Sequence, residues 1–368
     1  MSFTLLVDSC VLHGDTIFPK CGATQVECCD SNEMRRRLTS GAFDGVVVRS
    51  TTRLDRELLE GCDVRFAATA TVGVDHVDEA YLASRGISFA HAAGSSARTV
   101  AEFTLCLAIA ALARLGRDPL EGLTLAVIGH GAIGSKVAAG ARALGWKTLA
   151  VDPPLQRRGQ DHMVPLADAL AEADLISLHV PLTLSGDDAT LDMVNAGFLA
   201  AIKRGAVLIN TARGAVVDED SLKGALDSGR LGGAVLDVFR NEPTPSTALM
   251  DAATIVTPHV AGRTVDGMGA NTVAIGEQLA VFLGSPATAD LSLPDTQPLV
   301  ARIGDGSMAE IVGKTWDLPL IEATLQAAEG GFREARTLAE RRRDISMHRL
   351  PQSATSQQRR LHEILDSL

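Results

Sequence analysis

The sequence predicts an α/β protein whose main unit is a doubly wound parallel sheet. Two observations indicate this fold class. Short apolar runs recur along the chain, and stretches with apolar residues at helical spacing lie between them. One pair of runs, at residues 125–128 and 148–151, is joined by a glycine-rich turn and a helical pattern. This alternation is typical of βαβ units, in which successive strands lie parallel in one sheet.

Up to about residue 97 the chain shows this alternation on a smaller scale. Apolar runs at residues 4–7, 45–48 and 65–70 predict strands, and residues 54–60 predict a helix. We therefore expect a small, open α/β sheet in this part of the chain. A strongly apolar stretch at residues 99–114 then predicts a long helix that leads into the main unit.

Polar residues follow two strands of this first sheet. Arg49 and Ser50 come directly after the run that ends at residue 48, and Thr71 follows the run that ends at residue 70. Ligands bind beyond the carboxyl ends of the strands in open α/β sheets. Arg49, Ser50 and Thr71 are therefore candidate ligand contacts, and the alternative is that they are ordinary loop residues.

The glycine-rich turn has the pattern G-x-G-x-x-G and predicts a dinucleotide site. Gly129 permits the tight turn, Gly131 leaves space for a pyrophosphate, and Gly134 lets the helix pack close to the strand. Ile133 begins the helical pattern, and the N–H groups of that first turn are free to bind phosphate. Asp152 stands 18 residues after Gly134, where a carboxylate can bind the adenosine ribose. The pattern predicts a Rossmann-type fold that binds NAD in preference to NADP.

Two arginines close to Asp152 bear on that preference. Arg157 and Arg158 follow the second strand and could balance the negative charge of the 2′-phosphate of NADP. We interpret them as solvated loop charges, so the preference for NAD is expected to hold.

Three chemically active residues follow later strands of the same unit. The predicted strands lie at residues 175–180, 206–209, 231–236 and 254–257. Arg213, Glu242 and His259 each follow one of the last three, and the carboxyl ends of parallel strands lie at one edge of the sheet. A histidine can exchange the hydroxyl proton during hydride transfer, and a neighbouring carboxylate stabilises its imidazolium. A guanidinium can hold a substrate carboxylate with two hydrogen bonds.

Each of these residues also has an ordinary interpretation. Taken singly, His259 could cap a helix, Glu242 could be a loop residue and Arg213 a surface residue. Together, on a dinucleotide fold, they predict a dehydrogenase that acts on a 2-hydroxy acid. His130 and His179 are rival bases, but we interpret them as cofactor-side or structural residues because of their positions in the glycine turn and before Pro181.

The composition excludes several classes of function. The chain has 368 residues, 46% of them hydrophobic, and a net charge of −11, which argues against nucleic acid as a partner. No apolar run reaches the ~18 residues of a membrane span, and the N-terminus does not resemble a signal peptide. We therefore expect a cytoplasmic protein without membrane contact. The cysteines lack a C-x-x-C pair, so we expect reduced thiols and no metal site.

Beyond residue 284 the character of the sequence changes. Prolines punctuate a linker-like stretch, and helical patterns and an arginine-rich segment at residues 333–349 follow. We interpret Arg341, Arg342 and Arg343 as a solvated helix face. The apolar residues of this tail are too numerous for a free segment, so the tail must pack on a partner subunit or on its own chain. Residues 353–358 are expected to be disordered.

The motifs resemble those of the D-isomer-specific 2-hydroxyacid dehydrogenases. The matching segments are residues 129–134, 210–214, 236–239 with 242–243, and 258–262. The resemblance extends over about residues 40–283 and implies that Arg213, Glu242 and His259 are catalytic. It also implies NAD contacts by the residues at six matching positions, Asp152, Val180, Thr211, Ala212, Asp237 and Gly262.

Within this family, the chain most resembles the members that oxidise 4-phosphoerythronate in pyridoxal phosphate biosynthesis. That resemblance implies substrate contacts by Arg49, Ser50 and Thr71. Arg263 stands at a substrate-contacting position where those members usually have tyrosine, and an arginine there can bind phosphate. The alternatives are 3-phosphoglycerate dehydrogenase, a glyoxylate or hydroxypyruvate reductase, and a non-catalytic protein that senses NAD.

The resemblance also implies a division into three domains and a homodimer. Residues 1–97 and 267–284 would form a discontinuous, flavodoxin-like substrate domain, and residues 98–266 the NAD-binding domain. Residues 285–368 would form a small α+β dimerisation domain. In a dimer, Arg341, Arg342 and Arg343 could approach the active site of the partner subunit.

Overall fold

The computed structural model describes residues 2–117, 121–285, 291, 312, 316–327, 330–347 and 356–368. These residues form two compact units. One unit contains the chain up to Ser96 and the segment that begins at Val265, and the other contains Ala97–Thr264 and the described residues of the tail. The three-domain division stays a prediction.

The first unit is built on a five-stranded parallel sheet in the order β2-β1-β3-β4-β5. Its strands are β1 Thr4–Asp8, β2 Gln25–Cys29, β3 Gly45–Val48, β4 Phe66–Thr69 and β5 Ser88–His91. Its helices are α1 Gly14–Lys20, α2 Met34–Ser40, α3 Arg56–Leu59, α4 Glu79–Ser84 and α12 Val265–Leu283. This strand order is that of flavodoxin-like sheets, as predicted.

Helix α12 returns from the later part of the chain to close one face of this sheet. Phe282 of α12 lies 5.1 Å from the ring of Phe66 and 5.9 Å from that of Phe3, measured between ring centroids. All four residues of β3 and of β4 are buried, which is typical of parallel strands with helices on both faces.

The second unit is built on a six-stranded parallel sheet in the order β11-β10-β9-β8-β6-β7. Its strands are β6 Thr124–Ile128, β7 Lys147–Val151, β8 Leu175–Leu178, β9 Val207–Asn210, β10 Gly233–Leu236 and β11 Ile255–Val256. Its helices before the tail are α5 Ala97–Arg114, α6 Ala132–Ala143, α7 Pro153–Arg157, α8 Leu166–Glu172, α9 Ala196–Ala201, α10 Glu219–Asp227 and α11 Thr247–Ala252. The Rossmann-type prediction is confirmed, and the strand order reverses direction at β6.

The described tail contains three helices that pack on this second unit. They are α13 Leu318–Gln326, α14 Gly331–Ala339 and α15 Ser356–Asp366. Trp316 lies 4.9 Å from Phe103 of α5, and the guanidinium of Arg342 stacks 4.5 Å from the same Phe103 ring. Leu318 and Ile321 join the same apolar core. Most apolar side chains of the described tail are therefore buried against their own chain.

Two expectations about the tail are wrong. Arg342 and Arg343 are buried rather than solvated, because α14 ends at Ala339 and the chain then turns in towards the second unit. The disordered stretch was expected to extend to residue 358, but α15 begins at Ser356. Residues 353–355 of that stretch lie outside the described residues.

Two further observations concern the whole described chain. No helix among the described residues is long and apolar enough to cross a membrane. All six cysteines lie within the described ranges, and they are free thiols. These are Cys10, Cys21, Cys28, Cys29, Cys62 and Cys106.

Candidate active site

The glycine turn forms a close junction between β6 and α6. Gly129 has a φ of +90°, and a Cβ there would lie 2.7 Å from the carbonyl oxygen of His179. A Cβ at Gly134 would collide with the carbonyl oxygen of Gly129. A Cβ at Gly131, in contrast, would meet nothing within 4 Å, and no side chain caps the start of α6. The first turn of α6 is thus open to an anion, which fits the pyrophosphate of a dinucleotide.

Asp152 is held in place at the end of β7. Its carboxylate accepts hydrogen bonds from the N–H of His130 at 2.9 Å and from the N–H of Leu155 at 3.0 Å. The side chain is half-buried, and its remaining lone pairs can accept ribose hydroxyls. Arg157 is ion-paired with Asp188. Arg157 is the last residue of α7 rather than a loop residue, but this ion pair agrees with its interpretation as a surface charge that leaves the preference of Asp152 intact.

The segment after β9 brings Arg213 to the carboxyl edge of the sheet. Asn210 accepts a hydrogen bond from the N–H of Ala212 at 3.0 Å and donates one to the carbonyl of Arg213, also at 3.0 Å. The hydroxyls of Thr211 and Thr104 lie 3.0 Å apart, which ties the same segment to α5. These bonds fix the backbone from which the guanidinium of Arg213 projects.

Asp237, directly after β10, organises the loop that carries His259. Its fully buried carboxylate accepts hydrogen bonds from Thr257 Oγ1 at 2.6 Å, Val260 N at 2.8 Å and Ala261 N at 2.9 Å. Burial raises the pKa of Asp237, against the opposing effects of His259 and of these donors. Its role as an NAD contact stays a prediction, and the structure gives it a further role in holding this loop.

His259 and Glu242 form a hydrogen-bonded pair. Nδ1 of His259 lies 2.7 Å from Oε2 of Glu242, while Oε1 of Glu242 accepts a hydrogen bond from the N–H of Phe239 at 3.0 Å. The backbone of His259 has a φ of 58°, an unusual value for a residue other than glycine, and its N–H donates to the Asp237 carbonyl at 2.6 Å. The loop therefore presents the imidazole with Nδ1 engaged and Nε2 directed away from Glu242.

The electrostatics favour an ionised Glu242. Burial is the largest single effect and acts to raise the pKa of this carboxyl, but the hydrogen bond and charge of His259, the N–H of Phe239 and the charge of Arg336 together outweigh it. The net pKa lies below the usual range. A carboxylate in this position can fix the tautomer of His259 and stabilise its imidazolium form.

The two rival histidines do not have these properties. Burial lowers the pKa of His179 to about 3, with a contribution from His130, and Nε2 of His179 is bonded to Ser177 Oγ at 2.8 Å. Burial also lowers the pKa of His130, assisted by His162 and Arg142. Both imidazoles are therefore held neutral, which supports the choice of His259 as the proton-exchanging group.

The tail contributes charged residues that sequence reasoning did not place at the site. Arg263 is ion-paired with Glu340, at the end of α14, with Nε 2.6 Å from Oε1. Arg336 of α14 donates to the carbonyl of Pro258 at 3.2 Å, and its Nη2 lies 3.7 Å from Oε2 of Glu242. No local sequence pattern could predict these contacts, because the partners are 77 to 94 residues apart along the chain.

The remaining candidates lie at strand ends, as expected. Arg49 is buried directly after β3, and Ser50 is exposed beside it. Thr71 donates from its hydroxyl to the carbonyl of Gly73 at 2.8 Å. These three belong to the first unit, and their roles in substrate binding stay predictions. The same holds for the cofactor roles of two half-buried residues of the second unit, Val180 and Gly262.

Comparison with known proteins shows the family to which the chain belongs. Residues 98–261 match the family model described as D-isomer specific 2-hydroxyacid dehydrogenase, NAD binding domain. The chain is 38% identical to erythronate-4-phosphate dehydrogenase from Salinibacter ruber over 336 residues, which cover 85% of this chain and 86% of that protein. The chain therefore belongs to the D-isomer specific 2-hydroxyacid dehydrogenase family, and it is an NAD-dependent dehydrogenase.

Two further similarities cover the tail and the fold. The erythronate-4-phosphate dehydrogenase of Yersinia enterocolitica is 34% identical over 352 residues, which span 93% of each chain and so include most of the tail. The crystal structure of D-lactate dehydrogenase from Aquifex aeolicus, complexed with NAD and lactic acid, has a TM-score of 0.60 at 27% identity. It covers 76% of this chain and 95% of that one.

Proposed function

We propose that this chain oxidises 4-phospho-D-erythronate to 3-hydroxy-2-oxo-4-phosphobutanoate with NAD, a step of pyridoxal phosphate biosynthesis. The observation that carries the chemistry is the 2.7 Å contact between His259 Nδ1 and Glu242 Oε2 in the NAD-binding unit. The similarity to proteins named erythronate-4-phosphate dehydrogenase, over most of the chain, supports this substrate.

The proposed mechanism assigns one role to each residue. His259 removes the proton of the substrate 2-hydroxyl through Nε2, because Nδ1 is engaged by Glu242. Glu242 stabilises the imidazolium that forms. Arg213 binds the substrate carboxylate with two hydrogen bonds and polarises the oxygen that becomes the carbonyl. A bound NAD would supply the acceptor for the hydride that leaves C2 of the substrate.

The cofactor-binding roles follow from the glycine turn and the strand ends. The open first turn of α6, reached past Gly131, binds the pyrophosphate, and Asp152 binds the adenosine ribose. The turn that contains Ile133 and the segment with Thr211 and Ala212 make further contacts, as do the residues Val180, Asp237 and Gly262. In the reverse direction the same arrangement would deliver a proton from His259 to a 2-oxo group.

The substrate phosphate is the feature that separates the candidate substrates. We assign its recognition to Arg49, Ser50, Thr71 and Arg263, since guanidinium and hydroxyl groups are the donors that phosphate prefers. The net charge of −11 makes such local donors necessary for an anionic substrate. The enzyme alternatives, 3-phosphoglycerate dehydrogenase and glyoxylate or hydroxypyruvate reductase, differ in the size and phosphorylation of the acid.

The test is a matched panel of acids with NAD and the purified chain. The panel pairs 4-phosphoerythronate with erythronate and 3-phosphoglycerate with glycerate, and adds glyoxylate and hydroxypyruvate with NADH. The proposal predicts the highest kcat/KM for 4-phosphoerythronate and a loss of at least about a hundredfold for erythronate, as for a buried charge-assisted contact of ~3 kcal/mol. A higher kcat/KM for any other member would replace the proposed substrate. Absence of turnover with all of them would favour the NAD-sensing alternative.

We also propose a cytoplasmic homodimer with three domains, as the sequence predicts. The dimer rests on the resemblance to the family and on apolar residues of the tail that remain exposed, among them Leu320 and Leu338. Packing of the other tail residues on their own chain reduces the apolar surface that a partner must cover.

A further inference from the structure

The tail reaches the loop of the proposed proton-exchanging histidine at three separate points. Arg336 donates from Nε to the carbonyl of Pro258, the residue before His259, at 3.2 Å. Arg342 donates from Nη2 to the carbonyl of Val260, the residue after it. Glu340 is ion-paired with Arg263, four residues after His259. The loop is thus fixed from β10 by Asp237 and from the tail by these side chains.

Arg336 differs from the other two because it also faces the catalytic carboxylate. Its Nη2 lies 3.7 Å from Oε2 of Glu242, the oxygen that accepts from His259. The guanidinium stacks on Phe332 at 5.3 Å, and only 23% of the side chain is exposed, so its position is well defined. A cation at this distance, in a largely buried position, affects the ionisation of both Glu242 and His259.

We propose that Arg336 is a positioning residue for the Glu242–His259 pair, which it holds through the Pro258 carbonyl and polarises through its charge beside Glu242. The inference rests on the proposed catalytic roles of Glu242 and His259. It gives the tail a part in the reaction within the same subunit, although the tail lies outside the matched residues 98–261.

The charges around the pair set the direction of the effect. Asp237 and Arg336 act directly on the pair, and Arg263, Glu340 and Arg342 act on these two neighbours. Together with Glu242 they comprise three carboxylates and three guanidiniums. Removal of the Arg336 charge leaves an excess negative charge next to His259, which favours the imidazolium. The histidine should then titrate at higher pH.

The experiment measures the titration of His259 in the full chain by NMR with ¹³Cε1-labelled histidine. The His259→Asn variant assigns the signal. We expect the midpoint to rise by about 0.5 to 1 pH unit in Arg336→Gln, as for a partly screened charge. Arg336→Lys keeps the charge and should leave the midpoint within about 0.2 units of the unchanged chain. Arg333→Gln removes an exposed charge one turn earlier on the same helix and should have no effect.

Two further readouts separate positioning from general damage. In a chain that already carries Glu242→Gln, Arg336→Gln should shift the midpoint of the His259 titration by less than half as much as it does in the unchanged chain, since part of its effect acts through Glu242. With 4-phosphoerythronate and NAD, Arg336→Gln should lower kcat about tenfold with little change in KM, and Arg336→Lys should restore much of it.

The His259 midpoints decide whether Arg336 acts on the Glu242–His259 pair. A midpoint in Arg336→Gln equal to that in Arg333→Gln would overturn it. If Arg336→Gln does not fold, as judged by circular dichroism, the test passes to Arg336→Lys, whose midpoint must then match that of the unchanged chain. If 4-phosphoerythronate is not oxidised, the proposed substrate fails while the NMR midpoints still decide the role of Arg336.

Discussion

At the scale of single residues, Glu242 serves His259 in two ways. Its Oε2 engages Nδ1 and leaves Nε2 for the substrate, and its charge favours the imidazolium. The pKa of Glu242 is lowered, so this charge persists at neutral pH. In Glu242→Gln the geometry is nearly kept but the charge is lost.

We therefore expect Glu242→Gln to move the rising limb of the pH profile for oxidation to lower pH. An imidazolium without its carboxylate loses its proton more readily, so the neutral base appears earlier as the pH rises. The measurement is kcat/KM for 4-phosphoerythronate between pH 5 and 10, with the exposed Glu334→Gln as the control. A limb that stays in place or moves to higher pH would show that Glu242 does not act on His259.

Asp152 supports a second prediction at this scale. Its carboxylate repels a 2′-phosphate, so Asp152→Asn should reduce the ratio of kcat/KM for NAD over NADP by at least about tenfold, or 1.4 kcal/mol. The amide keeps one acceptor oxygen, so it can retain the hydrogen bond from the N–H of His130 or from that of Leu155 but not both, because these donate to different carboxylate oxygens. Arg157→Gln is the control and should leave the ratio unchanged because Arg157 pairs with Asp188. A ratio that rises in the control would mean that Arg157 serves the cofactor.

The positions of some of these residues could be predicted from the sequence, and those of others could not. Arg213, Glu242 and His259 could be placed together because each follows a parallel strand, and such strand ends share one edge. The buried role of Asp237 was not apparent, since its three donors are supplied by a loop whose course depends on φ of His259. Arg336 could not be found, because nothing in the local pattern determines where a distant helix docks.

At the scale of elements, α5 and the tail share a buried carboxyl. Glu102 of α5 accepts hydrogen bonds from Ile345 N and from Ser346 Oγ, and Thr99 donates to Asp344 at 2.7 Å. Burial and the nearby Asp344 raise the pKa of Glu102 from 4.5 to about 8. Below pH 4.5 both the folded and the unfolded chain keep this proton. Between 4.5 and 8 only the folded chain keeps it, so the stabilisation is lost progressively as pH rises.

This linkage makes a prediction about pH-dependent stability. Glu102→Gln cannot ionise, so the loss of Tm relative to the unchanged chain should be larger at pH 5 than at pH 8.5. Differential scanning calorimetry at several pH values measures the difference. Glu172→Gln, which removes an exposed partner of Lys147, should give a difference that is nearly independent of pH over this range. A Glu102→Gln difference that grows with pH would mean that Glu102 is ionised in the folded chain.

The elements themselves were predicted unevenly. The buried central strands β3, β4, β6 and β8 were evident from apolar runs because helices cover both of their faces. The strand β2 was not predicted, since it lies at a sheet edge and carries the polar residues Gln25, which is exposed, and Glu27, which is half-buried. The apolar residues of the tail were noticed, but their packing on α5 depends on tertiary contacts that no local period encodes.

At the scale of the whole molecule, the open question is self-association. The described tail buries Trp316 and Ile321 against its own chain but leaves Leu320 48% exposed on α13. We choose Leu320 to test the proposed dimer because it is the most exposed large apolar side chain of the described tail. Two-fold association is the commonest arrangement of soluble homo-oligomers.

We expect light scattering of the full chain to give a mass of about twice 38.6 kDa. Leu320→Lys should weaken this dimer at least about tenfold, since it places a charge in an apolar contact. Leu184→Lys, at a side chain that is 69% exposed outside the tail, is the matched control and should remain dimeric. A monomeric unchanged chain would refute the dimer, and equal masses for the two variants would refute the role of Leu320.

The overall fold was the most predictable feature of the molecule. Apolar runs that predict strands alternate with helical stretches, so neighbouring strands must be parallel and joined by helices. This constraint leaves few topologies for each unit. The order of the strands in the first sheet and the switch at β6 in the second agree with those few choices. The association of the tail with the second unit is a matter of surface complementarity, which the sequence does not display.

The central claim, that His259 exchanges the substrate proton in an NAD-dependent oxidation, has one direct test. It is the comparison of kcat for 4-phosphoerythronate and NAD between the unchanged chain and His259→Asn, with circular dichroism to verify the fold. The account predicts a decrease of about 10²–10⁴-fold, the usual contribution of a general base. A kcat close to that of the unchanged chain would contradict it and direct attention to His130.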